Sequence, residues 1–244
     1  MLQRFSNLKK IQVCNFKGDI DEAVLAIARS GLDLEELVAL SYCRSYPEFW
    51  LEELGTNMKN LKVLKFTGGD GDADFVRVVD AFLQLEELQI EDEAPHYNSV
   101  TDEGRDYMSS KLKRLRKIDL SNKSRISDKC PRLCHFVMTG SCLGKEEYNY
   151  DGLMEENRAI KYLDISSHDE FRPTALKRLL SICPELEKLK LHSCVFLPDD
   201  QLNVPDILEC NRSLGELNLT GSHHITVKDT ELESSVLEKL IVKI

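Results

Sequence analysis

Glycine and proline are scarce, with 12 and 7 residues in a chain of 244, too few for a low-complexity or linker-like polymer. Long apolar runs are missing too. No stretch approaches the roughly 18 to 20 residues that cross a bilayer, and Met1–Lys10 holds no uninterrupted apolar segment of the secretory kind. No membrane partner is therefore expected. Basic residues are outnumbered, 32 against 42 acidic ones, for a net charge of −10. Broad binding of a phosphate backbone needs many more Lys and Arg, so no nucleic-acid partner is expected either. Catalytic fingerprints are absent: there is no G-x-S-x-G, Walker or dinucleotide-binding glycine pattern. His192, His223 and His224 have no Ser or Cys partner in a recognisable motif. A non-enzymatic chain without cofactor or metal is the expectation.

What the chain has in excess is leucine, 36 residues, within a hydrophobic fraction of 42%. The pattern L-x-x-L-x-L, with Ile, Val, Phe, Ala or Met as occasional substitutes, begins at Leu8, Leu34, Leu61, Leu85, Leu115, Leu133, Ile160, Leu186, Leu214 and Leu237. Ten copies at a mean spacing of about 25 residues fall inside the leucine-rich-repeat range. The last two hydrophobes of each copy share one strand face, because strand side chains alternate with period two. The first turns into the same core.

The return segments read as helices. Asp19–Ser30 places Ala23, Val24, Ile27 and Ala28 on one face and stops at Gly31; Asp72–Phe82 places Phe75, Val76, Val79 and Phe82; Pro173–Ile182 places Leu176, Leu179 and Leu180. Alternating strands and helices give an α/β leucine-rich-repeat solenoid, a horseshoe with a parallel β-sheet on its concave face and helices on its convex face. Residues 1–244 read as a single domain, uncapped or truncated at both ends, because solenoids normally carry polar caps. The spacing of 18 residues between the copies at Leu115 and Leu133 leaves room only for a turn over Asp119–Pro131. Glu91–Lys111 and Gly140–Asn157 read as long loops.

Eight cysteines (Cys14, Cys43, Cys130, Cys134, Cys142, Cys183, Cys194 and Cys210) could pair in a secreted chain. Without a signal segment they read as free thiols in a reducing compartment, cytoplasmic or nuclear. Sequons begin at Asn122, Asn211 and Asn218, but Leu219 inside the last is a core strand position. Asp70–Asp74 imitates the start of a calcium loop, yet Phe75 and Ala81 occupy the positions that need Gly and Glu. Cys130, Cys134, His135 and Cys142 lack the paired spacing of a zinc site. Lys111–Lys117 holds five basic residues in seven positions, a nuclear-import or phosphopeptide pattern that also reads as a solvated approach to a strand, with Leu112 and Leu115 in the core.

The string Cys183-Pro184-Glu185-Leu186-Glu187-Lys188-Leu189-Lys190-Leu191-His192-Ser193-Cys194 resembles the cysteine-containing repeats of the F-box/leucine-rich-repeat family, which are ribonuclease-inhibitor-like, and Cys130-Pro131-Arg132-Leu133 opens another copy the same way. The resemblance implies the substrate-recognition repeats of an SCF-type ubiquitin ligase receptor. Such receptors hold a Skp1-type adaptor through an F-box, and with the first copy already at Leu8 the expectation is that no F-box lies within residues 1–244. The alternative is a repeat scaffold or inhibitor outside ubiquitin chemistry, and a third reading is an enzyme with an unrecognised site.

Positions alternating with the core hydrophobes line the exposed sheet face, the usual binding face of repeat proteins. They are Lys65, Glu87, Gln89, Glu91, Lys117, Asp119, His135, Tyr162, Asp164, Lys188, Lys190 and His192, with Thr67, Thr139, Glu216, Asn218, Lys239 and Lys243 beside them. Glu36, Glu87 and Glu91 make the early part acidic, and the late lysines make the other end basic. A protein or peptide laid along this face is the expected partner.

Overall fold

In a computed structural model the structure describes residues 5, 7–41, 47–68, 72–91, 102–119, 132–137, 139–140, 156–168, 172–196, 202–223, 225–226 and 237–242. They fall into two compact units, Met1–Lys123 and Ser124–Ile244. Cys43, Cys130, Cys142, Asp70, Asn122 and Lys243, and most of the expected turn and of the second expected loop, lie outside the described residues.

In the first unit, strands β1 (Lys10–Cys14), β2 (Glu36–Leu40), β3 (Val63–Thr67), β4 (Glu87–Glu91) and β5 (Lys117–Asp119) lie side by side in chain order, all parallel. Every strand grows from one copy of the leucine motif. The register aligns Ile11, Leu37, Leu64, Leu88 and Ile118 as one rung, and the last four of these are fully buried. A parallel pair needs a crossover, and helices α1 (Ile20–Ala28), α2 (Glu48–Asn57), α3 (Asp72–Ala81) and α4 (Asp102–Lys111) supply it, packing on one another in order.

Local sequence explains each helix. Asp19 caps α1, its carboxylate accepting from the Asp21 and Glu22 backbone N–H groups, and Gly31 follows with φ of 73°, a conformation glycine adopts without Cβ strain. On α1 the buried face is Ile20, Val24, Ile27 and Ala28, so Ile20 replaces the expected Ala23. On α3 Phe75, Val79 and Phe82 are buried as expected, while Val78 takes the place of Val76, which is only partly buried. Gly55 sits where α2 meets α3: a Cβ there would lie 2.5 Å from Cβ of Ala81.

Glu91–Lys111 is not all loop, since α4 occupies its last ten residues. Met108 and Leu112, one helical turn apart, bury the side that packs inward, and the Tyr107 hydroxyl reaches Asp80 on α3 at 2.6 Å.

In the second unit β6 (His135–Val137), β7 (Tyr162–Asp164), β8 (Lys188–Lys190), β10 (Glu216–Asn218) and β12 (Lys239–Ile241) repeat the parallel order. Phe136, Leu163, Leu189 and Leu217 form its buried rung, while Leu240 on the last strand is 38% exposed. A smaller parallel pair joins β9 (Leu202–Asn203) to β11 (Ile225–Thr226). Helix α5 (Pro173–Ile182) starts on Pro173 as expected, and α6 (Val204–Cys210) is capped by Asn203. Asn211 is fully buried, its amide donating to the Leu180 carbonyl at 2.9 Å, so its sequon is closed in the folded chain.

A left-handed residue stands two places after the last hydrophobe of the motif in copy after copy: Asn15, Gly68, Gly140, Ser167, Ser193 and Gly221. Several keep the ladder going as the chain turns, with N–H bonds from Asn15 to Leu40, Gly68 to Glu91, Ser167 to His192 and Ser193 to Thr220. The repeat therefore fixes the turn as well as the strand.

Candidate interaction face of the strands

Outward side chains stack into rows because the strands are in register. In the first unit one row runs Lys10, Glu36, Val63, Glu87, Lys117, and the next runs Gln12, Val38, Lys65, Gln89, Asp119. In the second unit the rows are His135, Tyr162, Lys188, Glu216, Lys239 and Val137, Asp164, Lys190, Asn218, Ile241. All twelve expected face residues are at least partly solvent-exposed, with His135, Lys188 and His192 the most open. Thr67 is the exception among their neighbours. It is buried, and its hydroxyl accepts from the Ser41 backbone N–H at 3.1 Å, satisfying a donor just beyond the end of β2.

Glu87 is the hub of the first unit. Its Oε1 meets Lys65 at 2.8 Å and Lys117 at 2.6 Å. Burial pushes this carboxyl up, and Lys117 and Lys65 together more than reverse it, holding the group below the ordinary carboxylate range. Glu36 pairs with Lys10 at 2.7 Å, and Glu91 accepts from the Gln89 amide at 2.8 Å. The acidic character expected of this part is therefore largely neutralised by lysines 22 to 30 residues away in sequence.

The second unit presents a different surface. His135 stacks on Tyr162, centroids 5.2 Å apart and 22° between planes, and Lys190 sits 5.2 Å over the other reach of the Tyr162 ring. Asp164 is already engaged by the Ser166 hydroxyl at 2.6 Å and by the Tyr162 hydroxyl at 3.3 Å, so Lys190 lies 3.6 Å from its carboxylate. Lys188 and Lys239 share Glu216 at 3.3 and 3.1 Å. Three lysines thus face two carboxylates, and the His192 ring adds a polar group at the rim, 3.2 Å from the Ser193 hydroxyl. Ser166 was not an expected site residue. It bridges Asp164 to the His192 backbone N–H at 3.1 Å, and its only sequence signal is the D-x-S spacing at a strand exit.

Other candidates resolve into structure. Cys183 and Cys194 are buried; burial pushes the Cys183 thiol up to about 12, and Cys194 donates to the Ile165 carbonyl at 3.2 Å. The Cys134 thiol lies 3.3 Å from His135 Nδ1, yet among the described residues no three ligand-type side chains converge on a metal position. Asp74 is buried against Arg77 at 2.6 Å rather than poised for calcium. No helix among the described residues is long and apolar enough to cross a membrane.

The depressed carboxylates predict acid sensitivity in the first unit. Lys9 and Asn60 lower Asp33, Lys62 lowers Glu35, and the lysine pair lowers Glu87. A group whose folded pKa lies below its unfolded value stabilises above the unfolded pKa, and that contribution fades as pH falls through the folded pKa. Unfolding followed by the fluorescence of Trp50, the one tryptophan, is expected to lose midpoint temperature below pH about 4.3. Glu87→Gln lowers the midpoint at neutral pH and flattens the acid limb; superimposable pH curves would refute the hub.

No protein-family model matches the chain, and no curated protein matches it. Solved structures do. A crystal structure of a TLR13–ssRNA13 complex is similar over 100% of this chain and 34% of that one, with TM-score 0.61 at 15% identity. The internalin InlF of Listeria monocytogenes is similar over 100% of this chain and 69% of its own, with TM-score 0.50 at 14% identity. A Bacteroides fragilis protein is similar over 95% and 73%, with TM-score 0.52 at 13% identity. The chain spans about a third of the TLR13 chain. Together with the parallel strands and their helical returns, these likenesses place the chain in the α/β leucine-rich-repeat class.

Proposed function

We propose that this chain is a non-catalytic protein-interaction module, the target-binding repeats of an F-box-type receptor in a cullin ubiquitin ligase. The observation that carries the binding role is the pair of outward rows of the second unit, with His192 just beyond β8. There His135, Tyr162, Lys188, Lys190 and His192 stand in fixed register over a buried leucine rung. A rigid strand platform presents such groups at low entropic cost, which favours capture of a protein or peptide segment. Support for the ubiquitin role is the resemblance of the Cys183–Cys194 string, whose two cysteines are both fully buried next to their strand. In this reading the repeats hold the target, and a Skp1-type adaptor is held by an F-box outside this chain. The compartment is reducing, cytoplasmic or nuclear.

Immunoprecipitation of the full-length protein under proteasome blockade tests the reading. Adaptor, cullin and a ubiquitylated target are expected together. A protein partner recovered without adaptor or cullin would move the assignment to a scaffold or inhibitor. Recovery of RNA without a protein partner would move it toward the kind of ligand in the TLR13 complex.

A further inference from the structure

A second surface lies on the loop joining α4 to β5 in the first unit and ends at Lys117, the first residue of β5. Lys111, Lys113, Arg114, Arg116 and Lys117 put five cations into seven positions of a chain whose net charge is −10. As a linear sequence this heptad suggests an import signal that binds in extended form. The structure argues otherwise. Leu112 and Leu115 are fully buried, the Leu112 N–H is tied to Met108 at 2.8 Å, and the Arg116 and Lys117 N–H groups are tied to Glu86 at 2.8 and 3.1 Å. Extending the segment would tear two leucines from the core and undo β5. What the fold presents is a rigid cationic rim.

Lys111, Lys113, Arg114 and Arg116 are all exposed. Lys111 lies over the Tyr107 ring at 5.4 Å and Lys113 donates to the Ser109 carbonyl at 2.8 Å, contacts that aim the ammonium groups without neutralising them. Among the described residues, Lys111, Lys113 and Arg114 pair with no carboxylate. The backbone ladder Lys62–Glu86–Arg116, at 2.7 and 2.8 Å per step, sets the α2–β3 loop two strands away from this one with Glu86 between them, and puts Lys62 at the far end of the same rim. Glu35 and, less strongly, Glu86 raise Lys62 above its ordinary range, and Arg114 is close enough to push against it. Lys62 is paired with Glu35 at 2.7 Å and Lys117 with Glu87 at 2.6 Å, so the charge left over is that of Lys111, Lys113 and Arg114, a like-charged group that is unfavourable for the fold alone and favourable for an anionic ligand.

We propose that this rim docks a short acidic segment of a partner protein. Two strand spacings separate the Lys62 loop from the Arg116 loop, roughly 10 Å, matching about three extended residues. Beyond it lie Asp33 and Glu35 on one side and Asp80, Glu103 and Asp106 on the helices. A long polyanion would overrun onto these acids within a Debye length of about 8 Å, whereas a short acidic peptide need not. Lys111, Lys113 and Arg114 belong to none of the strand rows, so substitutions there and on the strand face test the two readings separately.

The test is fluorescence anisotropy on the full chain with a labelled Asp/Glu peptide of about eight residues, its Asn/Gln counterpart and a single-stranded RNA of about 20 nucleotides. The acidic peptide is expected to bind with steep salt dependence and the neutral one not to bind. Lys113→Glu with Arg114→Glu is expected to weaken it at least about tenfold, and the gentler Lys113→Gln with Arg114→Gln about threefold. Lys188→Glu with Lys190→Glu leaves it unchanged. Absent peptide binding, equal affinity in the rim variants, or tighter RNA binding that the rim variants abolish would each overturn the proposal.

Discussion

Trp50→Ala is expected to remove about 3 to 5 kcal/mol of stability from the first unit, the range for deleting a large buried aromatic. Trp50 is 1% exposed and does three things at once. It fills the layer between α2 and the sheet. Its ring meets Phe66 edge-on, centroids 5.3 Å apart at 89°. Its indole N–H donates to the Asp21 carboxylate at 2.9 Å, tying α2 back to α1. Trp50→Phe keeps most of the ring and loses that donor, so about 1 to 2 kcal/mol is expected from it. Urea unfolding followed by far-UV circular dichroism measures both. A cost under about 1 kcal/mol for the alanine variant would contradict the packing described.

Leu189→Asp and Lys188→Ala, neighbours in β8, should differ as sharply as two substitutions can. Leu189 is fully buried between Leu163 and Leu217 in the central rung of the second unit. A carboxylate there has no partner, and a loss of about 4 kcal/mol or more follows from the cavity and desolvation costs together. Lys188 is 56% exposed and shares Glu216 with Lys239, so its truncation stays within about 0.5 kcal/mol. Equal losses at the two positions would mean that the strand faces are assigned wrongly.

The strands were legible because the leucine motif is both local and repeated: period two names the buried rung, and the copies name the strands. Helices α1, α3 and α5 were legible for the same reason, having clear apolar faces. Helices α2 and α4 were not. In α2 Phe49 is exposed while Trp50, Leu51 and Leu54 are buried, so the apolar residues wrap round the helix instead of marking one side. In α4 Met108 is nearly alone among polar residues, and packing on α3 rather than propensity makes the helix.

The candidate site divides along the same line. Which residues point outward follows from period two alone. Which of them remain available depends on register between strands some 25 residues apart, and a single strand's sequence does not encode it. Thus Glu87, expected as part of an acidic stretch, is the shared partner of Lys65 and Lys117. His135 and Tyr162, expected as separate positions, form a stacked pair.

The proposed role of the second unit's outward rows is capture of a protein. Quantitative affinity capture, comparing wild type with Lys188→Glu plus Lys190→Glu, tests it most directly, with circular dichroism melts confirming equal folding. Specific protein partners are expected to drop out of the variant's set while the melting temperature stays within a few degrees. An unchanged set of partners on an equally folded variant would contradict it.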